Sequence, residues 1–224
     1  MSEKVKLKAS DGHQLDAYVA KPQGTPIGGL VVVQEIFGVN GHIRSVADNF
    51  AHHGFFAVAP ALFDRTEKDV ELSYEGEDMK KAQAHMQKLD IDNSLKDVEA
   101  ALEYAKKETG KKASVVGYCF GGTIAWLSAS RLNPACAVGY YGGHIAKFVH
   151  EKPHVPVMLH FGRKDAHIPA EDVDRIAKAH PEVQIFWYDD AGHGFNCSAR
   201  ASYNERAAKI AFERTLNFLK EHAG

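Results

Sequence analysis

The eight residues VVGYCFGG (115–122) join an apolar run to a segment of helical length through a cysteine that has glycines on both sides. The run SVVGYC is largely apolar, as is typical of a strand that is buried on both faces of a sheet. The residues that follow, GGTIAWLSAS, are predicted to form a helix. The stretch therefore predicts a strand, a sharp turn and a helix, which is the repeating unit of α/β folds.

The same alternation of strand and helix extends outward along the chain. Apolar runs predict strands at residues 28–35, 55–60, 114–119, 135–141, 155–162 and 183–190. Periodic segments predict helices at residues 42–54, 75–90, 92–108, 121–130, 169–180 and around 208–219. Alternation between residues 5 and 19 predicts an antiparallel hairpin. Together these elements predict a mostly parallel central sheet of about eight strands, with an antiparallel N-terminal edge and helices on both faces.

Length and composition predict one globular domain over residues 1–224, since a single α/β domain often has ~200–250 residues. Hydrophobic residues make up 45% of the chain and charged residues 25%. The net charge of −2 gives no reason to expect a nucleic-acid or membrane partner. The polar N-terminal segment MSEKVKLKAS lacks the apolar run of a signal peptide, so we expect a cytoplasmic protein, monomeric by default.

The cysteines and histidines do not follow the spacing of a disulfide framework or a metal site. The three cysteines, Cys119, Cys136 and Cys197, form no CxxC motif, and the thirteen histidines form no HExxH motif. His52 and His53 are adjacent, so they point to different parts of a helix surface. We expect no metal and no cofactor, with Cys136 and Cys197 in packing roles.

Four groups that can carry chemistry follow predicted strands directly. They are Glu35, Cys119, Asp165 and His193. Ligands of open α/β sheets bind outside the carboxyl ends of the strands. The coincidence of a thiol, an imidazole and two carboxylates in this kind of loop predicts a catalytic site.

The pentapeptide GYCFG (117–121) fits the pattern G-x-nucleophile-x-G, with cysteine where serine is usual. The nucleophile of this motif sits on a strained turn between a strand and a helix, where side chains at the two glycine positions would collide. The order Cys119, Asp165, His193 is also the chain order of the α/β-hydrolase triad.

Each of these three residues also has a purely structural interpretation. Cys119 could be a buried thiol in a glycine-rich turn, Asp165 could cap a helix, and His193 could lie in a solvated loop. Because all three follow strands in the order of a triad, the catalytic interpretation is favoured over three independent coincidences.

Six segments, in this order, resemble the dienelactone hydrolase family of α/β-hydrolases: VVVQEIFGVN, FFAVAPALF, VVGYCFGG, AVGYYGG, HFGRKDAHIP and WYDDAGHGF. The resemblance extends over nearly the whole chain. It implies an α/β-hydrolase fold and the hydrolysis of a small ester or lactone, with dienelactones as the named candidate.

The triad predicts attack of Cys119 on the substrate carbonyl and a thioester intermediate that water then hydrolyses. His193 would act as the base and then the acid, and Asp165 would orient its imidazole. The backbone N–H groups of Ile36 and Phe120 are the predicted oxyanion donors, because one lies in the loop after the third strand and the other follows the nucleophile.

Glu35 has two interpretations. As a loop carboxylate it could bind backbone groups or an arginine, and Arg44 is near in sequence. The family resemblance implies instead that Glu35 contacts the resting Cys119 and takes its proton when substrate displaces it. A resting thiol oxidises less readily than a standing thiolate.

The substrate pocket is predicted less closely. Phe37 and Tyr140 are candidates for its walls, with Tyr141 as a neighbour that could instead pack in the core. Trp126, within the predicted helix 121–130, is expected to pack in the core.

The chain departs from the family at two arginines that hold a substrate carboxylate. Lys81 or Lys80 stands near the first position and His85 near an expected aromatic residue. The second position falls on residues 196–197, Asn-Cys, and Arg200 a few residues on is the candidate substitute. A lysine cannot form the bidentate contact of an arginine, so an anionic substrate is less strongly indicated.

Two other functions stay open at this point. One is a general carboxylesterase or thioesterase with the same triad. The other is a protein that binds a small ligand on a hydrolase fold without turnover, because fold alone does not determine function.

Overall fold

The computed structural model describes residues 2–223. Its eight strands are β1 (Ser2–Lys8), β2 (Gln14–Ala20), β3 (Gly28–Val33), β4 (Phe55–Pro60), β5 (Ala113–Tyr118), β6 (Ala137–Tyr140), β7 (Val157–Gly162) and β8 (Gln184–Tyr188). Its six α-helices are α1 (Gly41–His52), α2 (Gly76–Lys88), α3 (Ile91–Thr109), α4 (Phe120–Arg131), α5 (Ala170–Ala179) and α6 (Glu205–His222). None of the helices in this part of the chain combines the length and apolarity needed to cross a bilayer.

The strands form one sheet in the order β1-β2-β4-β3-β5-β6-β7-β8. The β1–β2 and β2–β4 pairs are antiparallel, and the remaining pairs are parallel. Strands β3 to β7 are buried along their whole length, as their continuous apolar sequences predict. The predicted mostly parallel sheet with an antiparallel N-terminal edge is confirmed.

Helices cover both faces of this sheet. Neighbouring residues of a strand point to opposite faces. A Cβ added at Gly28 would meet Ala223, which follows α6, whereas one at Gly29 would meet Ala105 of α3. The helices α6 and α3 therefore lie on opposite sides of β3, as predicted.

Three of the helices begin at a polar residue whose side chain accepts a hydrogen bond from a backbone N–H group of the first turn. The side chains of Asn40, Asp90 and Asn204 accept hydrogen bonds from the first turns of α1, α3 and α6. The bounds differ from the predicted ones by a few residues. Two short 3-10 helices, Leu62–Arg65 and Ile145–Phe148, were not predicted, because one turn is too short to give a periodic pattern.

The strand order reverses at β3. From β3 the chain moves to β4 on one side, and it later returns to β5 on the other side. Such a reversal leaves a crevice at the carboxyl ends of the two strands, where α/β proteins bind ligands. Glu35 and Cys119 follow these two strands, so the topology places both at the crevice.

The turn from β5 into α4 has the strained geometry that the sequence predicts. Cys119 has φ 54° and ψ −114°, which L-residues rarely adopt. A Cβ at Gly117 would lie 1.9 Å from the carbonyl oxygen of Gly121, and a Cβ at Gly121 would lie 2.4 Å from that of Val33. These collisions involve backbone atoms, so both positions require glycine.

We predict that Gly121→Ala lowers the free energy of unfolding by about 3 kcal/mol or more, because the added Cβ forces backbone atoms of the crevice apart. Urea denaturation measures the change. Gly41→Ala is the control, since a Cβ there meets only the far end of Arg44, at 4.0 Å. Equal unfolding free energies for the two variants would contradict this account of the turn.

Candidate active site

Three predicted site residues are in hydrogen-bonding contact beyond the carboxyl ends of β5, β7 and β8. Nε2 of His193 is 3.2 Å from Sγ of Cys119, and Nδ1 of His193 is 2.8 Å from Oδ2 of Asp165. The Asp165 side chain is buried and that of His193 nearly so, whereas Cys119 is partly exposed. The structure thus brings together an accessible thiol, an imidazole and a buried carboxylate, in the arrangement of a nucleophile, its base and the group that orients the base.

Backbone hydrogen bonds between two loops hold Asp165 and His193 in place. The N–H of Lys164, after β7, donates to the carbonyl of Ala191, after β8, at 2.9 Å. Oδ1 of Asp165 accepts the N–H of His167 at 2.8 Å, which leaves Oδ2 for His193. The carboxylate therefore has one fixed orientation, and it fixes that of the imidazole.

The charge on His193 depends on its two partners. Burial lowers the pKa of His193, but the hydrogen bonds to Asp165 and Cys119 outweigh burial and raise the pKa to about 10. At neutral pH the imidazole accordingly holds a proton beside the Cys119 sulfur.

The backbone around Cys119 is suited to a developing negative charge. Phe120 begins α4, and the first N–H groups of a helix have no partner within it. Ile36 lies in the turn after β3, and no hydrogen bond involves its N–H within residues 2–223. Both residues border the cavity that contains Cys119. The two residues predicted to supply oxyanion donors therefore border the same cavity as Cys119.

Glu35 is fully buried at the end of β3, and its nearest opposite charge is Arg200. Nη1 of Arg200 is 3.7 Å from Oε1 of Glu35. Burial raises the pKa of Glu35, and the Arg200 charge opposes that rise. The alternative partner Arg44 instead donates to the carbonyl of Val39 and pairs with Glu71. The sulfur of Cys119 contacts His193 in this structure, and no Glu35–Cys119 hydrogen bond occurs within the described chain.

The profile of the dienelactone hydrolase family matches residues 15–223, which is nearly the entire chain. The chain belongs to the dienelactone hydrolase family. It is 35% identical to the carboxymethylenebutenolidase of Pseudomonas putida, over an alignment that covers 98% of this chain and 96% of the relative. It is 31% identical to carboxymethylenebutenolidase 1 of Cupriavidus pinatubonensis, with 98% and 97% covered.

Solved structures agree with this assignment. A candidate dienelactone hydrolase from Klebsiella pneumoniae superposes with a TM-score of 0.83 at 29% identity and covers 97% of this chain and 98% of its own. An esterase of Pyrococcus furiosus, at 15% identity, has a TM-score of 0.73 with 100% and 93% covered, which supports the fold alone. The predicted α/β-hydrolase fold and family are confirmed, and the family makes the chain a carboxylic ester hydrolase.

In this family member the predicted nucleophile borders a cavity of about 590 Å³. Its lining residues are Ile36, Phe37, Met79, Gln83, Met86, Cys119, Phe120, Thr123, Gly143, His144, His167, His193 and Arg200. Phe37 and Arg200, both predicted to contact substrate, are among them. A volume of this size suits a small ester or lactone.

The structure does not bring the predicted α2 residues to the cavity. Lys81 pairs with Asp78 on the exposed side of the helix, 3.3 Å away. His85 packs against the Phe63 ring, at 5.1 Å between centroids, and contacts Thr66. The predicted contact of Lys81 or His85 with substrate is corrected, because both project from the side of α2 that faces away from the cavity.

Lys80, the alternative to Lys81, pairs with Glu77 at 2.8 Å and is likewise outside the cavity lining. Tyr140 is also placed elsewhere. Its side chain is fully buried, and its hydroxyl shares a hydrogen bond of 2.7 Å with Thr215. The tyrosine therefore belongs to the core rather than to a pocket wall, which corrects that prediction.

The residues that α2 does present to the cavity were missed in the sequence. They are Met79, Gln83 and Met86, whose spacing of four and three residues puts them on one helix face. This spacing is the sequence pattern from which the cavity-facing side of α2 could have been predicted. His144 and His167, in the loops after β6 and β7, were also missed, since a loop has no period from which to infer a direction.

The remaining cysteines are buried, as predicted. Cys136 donates to the hydroxyl of Ser114 at 3.3 Å. Cys197 is fully buried near Tyr74 and Glu35, which interact with its thiol. Trp126 is buried in α4 and donates to the carbonyl of Phe148.

We predict that Asp165→Asn and Cys119→Ser each lower the pKa of His193 from about 10, because each removes a hydrogen bond that favours the imidazolium. Histidine NMR across a pH titration measures this. The raised pKa stabilises the fold fully below pH 6.5, the ordinary value, and the contribution disappears as pH rises through about 10.

Buried His160 is the internal reference for this titration, because burial lowers its pKa to about 3 and neither substitution touches it. If the pKa of His193 is the same in wild type and Asp165→Asn, the carboxylate does not set its charge.

Proposed function

We propose that the protein hydrolyses small esters or lactones with Cys119 as nucleophile, His193 as acid and base, and Asp165 as the group that orients the imidazole. The observation that carries the proposal is the hydrogen-bonded chain Cys119–His193–Asp165, at 3.2 and 2.8 Å, at the wall of the 590 Å³ cavity. The strained backbone of Cys119 supports it, because such strain is retained where it positions a reacting group.

The reaction proceeds in two displacements. The Cys119 thiolate attacks the substrate carbonyl, and the oxyanion is held by the N–H groups of Ile36 and Phe120. The intermediate collapses to a thioester, and His193 gives its proton to the leaving alkoxide. His193 then takes a proton from a water molecule that attacks the thioester. The acid leaves, and the thiolate–imidazolium pair is restored.

Glu35 serves, in this proposal, as the proton acceptor for a resting Cys119 thiol. The sulfur would turn from Glu35 to His193 when substrate enters. The raised pKa of Glu35 supports this role, because a buried carboxylate accepts a proton more readily than an exposed one.

The named candidate substrate is a dienelactone, since relatives carry the name carboxymethylenebutenolidase. Arg200 is the proposed contact for a substrate carboxylate, and it is the one arginine among the lining residues of the described chain. Its guanidinium also lies 5.8 Å from the Phe37 ring centroid, so the arginine is held against an aromatic wall.

A general carboxylesterase or thioesterase acting on neutral substrates is the second candidate. The observation in its favour is that α2 presents Met79 and Met86 to the cavity, while Lys81 faces solvent. Such a wall suits an apolar acyl group. A ligand-binding protein without turnover, the other alternative from the sequence, does not agree with membership of a family of carboxylic ester hydrolases.

We predict that an activated aryl ester leaves its acyl group on Cys119. Acid quenching followed by peptide mass spectrometry should find the acyl mass on the Cys119 peptide, and Cys119→Ala should lose both the adduct and turnover. Cys136→Ala, at a buried thiol outside the cavity, should keep both. Full turnover by Cys119→Ala would eliminate the thioester mechanism.

We predict that Arg200→Gln lowers kcat/KM for an anionic lactone by ~10- to 100-fold relative to a neutral aryl ester of similar size. This follows from the ~1.5–3 kcal/mol of a hydrogen bond to a charged group. The ratio of the two substrates is the readout, because Arg200 also faces Glu35. Lys81→Gln is the matched control and should leave the ratio unchanged. An unchanged ratio in Arg200→Gln favours the neutral-substrate candidate.

The location in the cytoplasm, the monomeric state and the extent of the domain over residues 1–224 stay proposals from the sequence.

A further inference from the structure

A second group of side chains lies behind Glu35, outside the cavity lining. Glu35, His42 and Cys197 each offer one atom that can bind a metal, and these atoms all lie within 4.8 Å of one another. We call this set the Glu35 cluster. The three residues come from the end of β3, the first turn of α1 and the loop after β8. The proposed reaction uses only Glu35 of the three.

In the described part of the chain, two of the three members of the Glu35 cluster, Glu35 and His42, have buried polar atoms without hydrogen bonds, whereas the thiol of Cys197 interacts with Tyr74. Within residues 2–223, both carboxylate oxygens of Glu35 and Nε2 of His42 are buried without a hydrogen-bond partner. The hydroxyl of Tyr141 is in the same condition. Such groups cost ~1–3 kcal/mol each, and native proteins normally satisfy them with water or an ion. The cluster is therefore built to receive something.

We propose that the Glu35 cluster binds one divalent metal ion of the zinc type. A carboxylate oxygen, an imidazole nitrogen and a thiolate are the three ligand classes that Zn²⁺ takes from proteins. Zn–N and Zn–O distances of ~2.0 Å and a Zn–S distance of ~2.3 Å put ligand atoms about 3.5 Å apart. The cluster has to contract by roughly 1 Å from its widest separation, which side-chain rotation supplies.

The charge balance permits this ion beside Arg200. Zn²⁺ with the Glu35 carboxylate and the Cys197 thiolate has no net charge, so it does not repel the guanidinium 3.7 Å from Glu35. Cys197 releases its proton on binding, as thiol ligands of zinc do. The hydroxyl of Tyr74, which interacts with both Cys197 and Glu35, or a water completes the coordination.

A second depression of the surface lies next to the Glu35 cluster, at His42. This depression of about 410 Å³ is lined by His42 together with Tyr118 and Asn196, and it shares no lining residue with the substrate cavity. His42 is the member of the cluster that borders this depression. A bound metal ion would occupy Glu35 and lower turnover. This effect on turnover rests on the proposed role of Glu35 in the reaction, whereas the binding of the metal does not.

Cobalt(II) tests the site with a readout independent of activity, because a thiolate bound to cobalt gives a charge-transfer band in the near ultraviolet. We expect the wild-type protein to give this band at one equivalent of Co²⁺, and Zn²⁺ to displace the cobalt. Cys119→Ser should keep the band, since the catalytic thiol is not a ligand. Cys197→Ser and His42→Gln should lose it.

His52→Gln is the matched control for His42→Gln, because both residues belong to α1 and His52 is exposed at its last turn. Urea denaturation of each variant establishes that the loss of the band is not a loss of fold. The absence of a band in the wild type overturns the proposal. A band that persists in Cys197→Ser and disappears in Cys119→Ser also overturns it, since the metal would then sit on the catalytic thiol.

Discussion

The backbone turn at Cys119 is the constraint on which the site depends. A residue with φ 54° between a buried strand and a helix is stable only where the neighbouring backbone can approach it closely. The glycines at 117 and 121 permit that approach, and Gly121 packs against the carbonyls that end β3. The same contact therefore sets the distance between the sulfur and the loop of Ile36. The strain at Cys119 and the position of the Ile36 loop have one cause.

Two buried pairs of ionisable groups lie at this crevice, His193 with Asp165 and Glu35 with Arg200. Their environments affect the pKa values of His193 and Glu35 differently. His193 lies between Asp165 and Cys119, so its proton is held tightly although burial opposes it. Glu35 has Arg200 at 3.7 Å and no hydrogen bond within the described residues, and burial raises its pKa although the charges of Arg200 and His193 oppose the rise. Unequal environments of this kind separate the roles of acid and base in one active site.

The sequence predicted the residues whose positions follow from strand ends. Cys119, Asp165, His193 and Glu35 could be placed because parallel strands bring their carboxyl ends to one edge of the sheet. Lys81 and His85 could not be placed, since the direction of a helical residue depends on how the helix is rotated against the sheet. The sequence of α2 defines that rotation weakly, because Ala82 is its one buried residue. His42 was missed because it meets Cys197 only in the folded chain.

The pairing of Glu35 with Arg200 connects substrate charge to proton transfer in the proposed mechanism. A carboxylate buried without a counter-ion costs several kcal/mol, and Arg200 offsets part of that cost. If Arg200 turns toward an anionic substrate, Glu35 loses the cation at 3.7 Å and becomes a stronger base. That is the moment at which the Cys119 thiol must give up its proton. A neutral substrate leaves Arg200 paired with Glu35, so Glu35 does not become a stronger base. Arg200 would therefore favour an anionic substrate in two ways, by binding its carboxylate and by promoting deprotonation of Cys119.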